Sequence, residues 1–228
     1  LNDFESTFGL DPLSPVGHNG PAGDPDGDGF TNAEEQMAGT HPLGLVQRYF
    51  AEGSTGTFFD ERLAIINPST VATALVQVRY LRPAPQPAVM QNFTIHPNTR
   101  RTIEVDTVPG VENTAVSIVI ESDLVVVADR TLTWDSTGYG AHSETAVSSA
   151  STSWYFAEGT TASGFDLFYL LQNAGTSPAH VTVTYLRPAP AAPVVRTYVV
   201  DPTSRFNIWV DTEGPELSST DVSATITS

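Results

Sequence analysis

An internal repeat constrains this chain more than any other feature. Tyr49-Phe50-Ala51-Glu52-Gly53 returns as Tyr155-Phe156-Ala157-Glu158-Gly159. Tyr80-Leu81-Arg82-Pro83-Ala84-Pro85 returns as Tyr185-Leu186-Arg187-Pro188-Ala189-Pro190. Arg100, after Pro97-Asn98-Thr99, returns as Arg205 after Pro202-Thr203-Ser204, and Asn67 matches Asn173. The copies stand roughly 105 residues apart, about the size of one domain. Long matches in one order mean a tandem duplication, so any architecture proposed for one copy must also fit the other.

Within each copy the residues alternate as strands do. Val76, Val78 and Tyr80 point one way and Gln77 and Arg79 the other, and Val181, Val183 and Tyr185 repeat the pattern. Ile103 and Val105 alternate with Thr102 and Glu104. Pro, Gly, Asn and Asp separate these runs, and no apolar pattern of period 3.6 is sustained. Proline lacks the ladder donor, so the Arg-Pro-Ala-Pro segments are expected to turn between strands. The expectation is a mainly β protein. Two tandem immunoglobulin-like antiparallel β-sandwiches would occupy residues 48–153 and 154–228, preceded by a small calcium-loop segment at residues 1–47.

The second sandwich is expected to be strand-deficient. Ser228 aligns with Ser122, and the first copy continues through Asp123–Trp134 and on to Val147, roughly two strands more. A sandwich without them leaves an apolar edge that invites pairing with another chain. Three explanations stay open: the chain is cut from a longer array, a neighbouring subunit covers the edge, or the second copy closes with fewer strands. A start at Leu1 suggests a processed product or a piece of something longer.

Composition narrows the partners. The 26 acidic side chains against 10 basic ones give a formal charge of −16, a field that repels phosphate backbones and anionic lipid. Neither nucleic acid nor membrane insertion is expected. Cysteine is absent, so disulfides and thiolate metal sites are excluded.

Residues 24–35 read Asp-Pro-Asp-Gly-Asp-Gly-Phe-Thr-Asn-Ala-Glu-Glu. Against a twelve-position calcium loop, Asp24, Asp26 and Asp28 fall at positions 1, 3 and 5, and Gly29 at the sharp turn. Phe30 offers its carbonyl, Asn32 binds directly or through water, and Glu35 closes the sphere with two oxygens. Calcium is thus the expected cofactor. A helix is expected to leave the loop over Asn32–Ala38, stopped by Gly39, whereas Gly and Pro in residues 14–23 forbid an entering one. Without a helix pair to open, the site reads as a staple rather than a sensor.

Residues 4–43, including Phe8-Gly9-Leu10-Asp11-Pro12 and the Ala-Gly-Thr after the loop, resemble the single calcium loops of bacterial dockerins and thrombospondin type 3 repeats. The resemblance implies an extracellular, calcium-rigidified segment, with Asp11 as an added ligand. A dockerin has two such loops and this chain has one. Residues 48–228 resemble tandem Tyr-Phe-Ala-Glu-Gly-type bacterial extracellular β-repeat domains, which implies a cell-surface setting and modularity but no activity.

Further candidate metal ligands are Glu52 and Asp60, recurring as Glu158 and Asp166, although turn caps and sheet-edge hydrogen bonds account for them better. The five histidines show no zinc spacing, and no nucleophile, metalloprotease or phosphate-loop motif is present, so no enzyme is expected. Trp209 replaces Glu104 between inward-facing Ile208 and Val210 and is a candidate interface residue, against a subunit, a sugar ring or a covering loop. The favoured function is an extracellular calcium-stabilised structural protein that self-associates or meets neighbouring repeats, as in a filament built from head-to-tail contacts. The alternative is a glycan- or surface-binding module of a larger secreted enzyme or adhesin.

Overall fold

A computed structural model describes residues 2–135 and 140–228. The chain divides into two compact units, Leu1–Tyr80 with Ala88–Ser149, and Leu81–Pro87 with Ala150–Ser228. Both are mainly β, built of antiparallel strand pairs.

The first unit opens with a short helix, α1 (Asn2–Thr7), a 3-10 turn at Gly17–Asn19 and a second helix, α2 (Asn32–Ala38). Eight strands follow: β1 (Val46–Phe50), β2 (Phe59–Asn67), β3 (Ala74–Leu81), β4 (Val89–Ile95), β5 (Thr99–Glu104), β6 (Ser117–Ser122), β7 (Val127–Trp134) and β8 (Gly140–Thr145). They form two four-stranded sheets, in the orders β1-β6-β3-β4 and β5-β2-β7-β8. Phe50, Val76, Val78, Tyr80 and Ile118 from one sheet meet Leu63, Ile65, Ile103 and Ala128 from the other in one buried cluster. This is a sandwich core, in which each large side chain contributes roughly 1.5–3 kcal/mol by leaving water.

The alternation of β3 is present, but its outer face is not in water. Gln77 and Arg79 are buried as thoroughly as Val76 and Val78. The N-terminal segment covers that side, with the His41 amide bonded to Glu121 on β6, the strand beside β3.

The second unit holds β9 (Ser153–Phe156), β10 (Phe168–Asn173), β11 (Ala179–Leu186), β12 (Val194–Val200), β13 (Ser204–Trp209) and β14 (Ser223–Thr227). Its four-stranded sheet, β12-β11-β14-β9, repeats β4-β3-β6-β1 strand for strand, while β10-β13 repeats β2-β5 and stops. Among the described residues it shows no strands corresponding to β7 and β8. Val183, Tyr185, Ile208, Val210 and Ala224 still form a buried cluster. The consequence shows at one matched pair: Phe50 is 1% exposed and its counterpart Phe156 is 40% exposed.

The Arg-Pro-Ala-Pro segments turn between strands as expected, joining β3 to β4 and β11 to β12. In each turn the arginine donates to a carbonyl five residues on, Arg82 Nε to Pro87 at 2.9 Å and Arg187 Nη2 to Ala192 at 2.8 Å.

Candidate metal centre

The acidic loop is shaped by its glycines and by the start of α2. Gly27 and Gly29 take φ of 76° and 92°, a region that side chains strain. Those turns let Asp24 accept hydrogen bonds from both glycine amides, at 2.7 Å from Gly27 and 3.2 Å from Gly29. Asp28 accepts from the Phe30 amide at 2.8 Å. Asp24, Asp26 and Asp28 each bring a ligand oxygen within 4.8 Å of the others. Phe30 is about half exposed to solvent, compatible with a role for its backbone alone.

The helix follows its expected bounds because its ends are capped. Thr31 accepts from the Glu34 amide at 3.4 Å, and Glu34 Oε2 accepts from the Thr31 amide at 2.8 Å, a reciprocal capping box. The Thr31 amide, and after it the Thr31 hydroxyl, donate to the Glu34 carboxylate, favour its charged form and hold it below its ordinary range. Gly39 ends α2 in the left-handed region, at φ 72°. Thr31→Ala is expected to cost about 1 kcal/mol of stability, measured by urea denaturation in calcium.

With Glu34 tied to the cap, Glu35 turns inward. It is 1% exposed, its Oε2 has no hydrogen-bond partner, and its Oε1 accepts only a long bond from Thr40 at 3.5 Å. Burial, then the charges of Asp26, Asp28 and Glu121, pushes its carboxyl up to about 8. Asp26 is also raised, first by burial and then by Asp28 and Asp24, against the lowering effect of backbone hydrogen bonds. Carboxylates that destabilise one another in this way are relieved by a cation. Asn32 is fully buried, and its amide nitrogen donates to the His18 and Gly20 carbonyls, both at 2.8 Å. Its Oδ1 is buried without a partner. The donor set is all oxygen, with two orphaned buried oxygens among it, and fits a hard divalent ion such as calcium.

A clamp that sequence reasoning missed fastens this segment to the first sandwich. His41 donates its amide to Glu121 at 3.2 Å, and Glu121 forms a buried ion pair with Arg79 at 3.0 Å. Phe8 lies against the His41 ring with centroids 4.5 Å apart. Burial drives His41 down to about 4, so the ring is neutral at pH 7. The available signal was Glu121 itself, an acid closing the apolar run Ile118-Val119-Ile120.

The other candidates disperse. Asp11 is exposed and accepts from the Leu13 amide at 2.9 Å, a local turn. Asp60, Glu158 and Asp166 are also exposed. Among the described residues, none of these four joins a cluster of three or more metal-ligating side chains. Glu52 does join one, with His142 and Glu144, but the fully buried Arg130 guanidinium sits among them, 3.0 Å from Glu52 and 3.3 Å from Glu144. That guanidinium already supplies the positive charge that these acids need. Trp209 is 45% exposed beside buried Ile208 and Val210, and its ring stacks on Phe168 at 5.7 Å.

Fold and site together define a class: tandem antiparallel β-sandwich units with an acidic loop clamped to the first. No protein-family model matches the chain, and no curated protein matches it. Among solved structures it is similar to Thermotoga maritima 1070, with 18% identity and a TM-score of 0.42 over 46% of this chain and 94% of that one. It is also similar to the Anabaena sensory rhodopsin transducer, with 18% identity and a TM-score of 0.32 over 37% of this chain and 93% of that one. Neither likeness assigns a function.

Proposed function

We propose that this protein is an extracellular bacterial structural module whose N-terminal loop is stapled by calcium. In this reading it assembles through head-to-tail contacts into a surface array or filament. The observation that carries it is Glu35, a buried carboxylate facing Asp26 and Asp28 with an orphaned oxygen. A cation bound there ties α2 and the loop into one rigid body, and the His41–Glu121–Arg79 clamp passes that rigidity to the sandwich. Stiff repeats suit a load-bearing or spacing role better than catalysis. Negative-stain microscopy of the purified protein tests the assembly. Elongated polymers in millimolar calcium that shorten in chelator are expected; dispersed monomers under both conditions would remove the filament.

The second reading, a glycan- or surface-binding accessory module, is favoured by one feature. Trp209 and Phe168 present a stacked aromatic pair with both rings partly in solvent. Glycan-array binding that is lost in Trp209→Ala supports that reading over assembly.

A further inference from the structure

The second unit takes in one turn of the first repeat, Leu81–Pro87. There Pro83 forms a parallel bridge with Arg205, and the Arg205 amide donates a long bond to the Arg82 carbonyl at 3.4 Å. Arg205 lies on β13, whose other edge pairs with β10, so the turn rests on the outer edge of β13. Beside it Ser204 and Arg205 are each only 3% exposed.

Duplication supplies a second turn of the same make and a second edge of the same kind. Leu186–Ala192 repeats Leu81–Pro87: the Gln86 amide donates to the Pro83 carbonyl and the Ala191 amide to the Pro188 carbonyl, both at 3.1 Å. Pro188 and Ala189 are exposed. Leu186 is 44% exposed, whereas the matching Leu81 is fully buried. The receiving edge recurs on β5. Arg100 pairs with Ile66 as Arg205 pairs with Gln172, and Thr99 pairs with Asn67 as Ser204 pairs with Asn173. Strand β5 ends its sheet, and among the described residues its outer edge has neither a strand nor a bridge partner. Thr99, Arg100 and Arg101 are exposed. An open strand edge and an exposed leucine beside a turn both gain by being covered. Charge favours their meeting as well. Arg100 and Arg101 stand together in a chain of net charge −16, and Glu216 lies beside the second turn, its carbonyl accepting from Arg187 Nη1 at 3.2 Å.

We propose that the Leu186–Ala192 turn of one copy docks on the outer edge of β5 in a second copy of this chain. Pro188 bridges Arg100 as Pro83 bridges Arg205, and the Arg100 amide donates to the Arg187 carbonyl. Turn and edge are different surfaces, so the contact is heterologous, and a copy that uses one still has the other to offer. The inference rests on the assembly reading and names the joint through which copies meet.

The test exploits a chain without cysteine. Pro188→Cys and Arg100→Cys are made in separate preparations of the whole protein, mixed in millimolar calcium and oxidised. Residues bridged in this way lie within disulfide reach, so the mixed dimer is expected to form about tenfold faster than between Arg100→Cys and Thr176→Cys. Thr176 is an exposed turn residue elsewhere on the second unit. Sedimentation velocity of the wild type over a concentration series reads association itself. Arg100→Pro deletes the donated amide on an edge where proline is tolerated, and is expected to weaken association about tenfold. Wild type that associates while both cysteine pairs react at equal rates overturns this joint and leaves assembly standing. Association unchanged in Arg100→Pro overturns the joint too. Wild type that stays monomeric at every concentration overturns the assembly reading and this inference with it.

Discussion

Glu35→Gln is expected to stabilise the protein in chelator and to destabilise it, relative to wild type, in calcium. The sign reverses because one carboxylate has two opposite roles. Without a cation, Glu35 is a buried acid beside Asp26 and Asp28, pushed up to about 8 from an ordinary value of 4.5. A carboxyl whose folded value is raised favours folding at low pH and loses that contribution as pH rises through the folded value. Chelated wild type should therefore lose stability between about pH 4.5 and 8, while E35Q shows no such loss. The difference at pH 8 is expected to be about 1–3 kcal/mol. His41 shifts the other way, with stability lost as pH falls below 6.5 toward 4, but it is common to both proteins and cancels in the comparison. In millimolar calcium the wild type should melt several degrees higher and E35Q should gain little, since a neutral amide cannot close the sphere with two charged oxygens. Differential scanning calorimetry at pH 8, with and without chelator, reads all four states. Identical melting of wild type in calcium and chelator would remove the staple.

The parts of the molecule legible in the sequence are those set by neighbours along the chain. The bounds of α2 follow from Thr31, Glu34 and Gly39, all within one short segment. Duplication made the β character of the second unit legible from that of the first, because the matched segments recur in one order. Alternation placed Trp209 outward between Ile208 and Val210. What escaped notice depends on distant residues. Glu52 meets Arg130, 78 positions away, and spacing along the chain gives no hint of that. Helix α1 has only six residues and holds through Phe4 against Phe8 and Phe8 against His41, a tertiary arrangement and not a propensity. Alternation showed that Gln77 and Arg79 share a face but not that the N-terminal segment covers it.

That covered face yields the second large effect. Arg79→Met is expected to cost about 3–5 kcal/mol at pH 8, because it leaves the buried Glu121 carboxylate without its ion-pair partner. Burial already raises the Glu121 carboxyl, and Arg79 is the main influence holding it down. Removing the guanidinium lets the value climb further, so the variant's deficit should shrink as pH falls and Glu121 takes a proton. The double variant Arg79→Met with Glu121→Leu should recover most of the loss, since an apolar pair of similar volume leaves no buried charge. Guanidinium denaturation of the wild type, both single variants and the double variant completes the cycle. An Arg79→Met cost below about 1 kcal/mol at pH 8 would mean that water reaches Glu121. The N-terminal segment would then rest on the sandwich too loosely for its calcium loop to stiffen anything beyond itself.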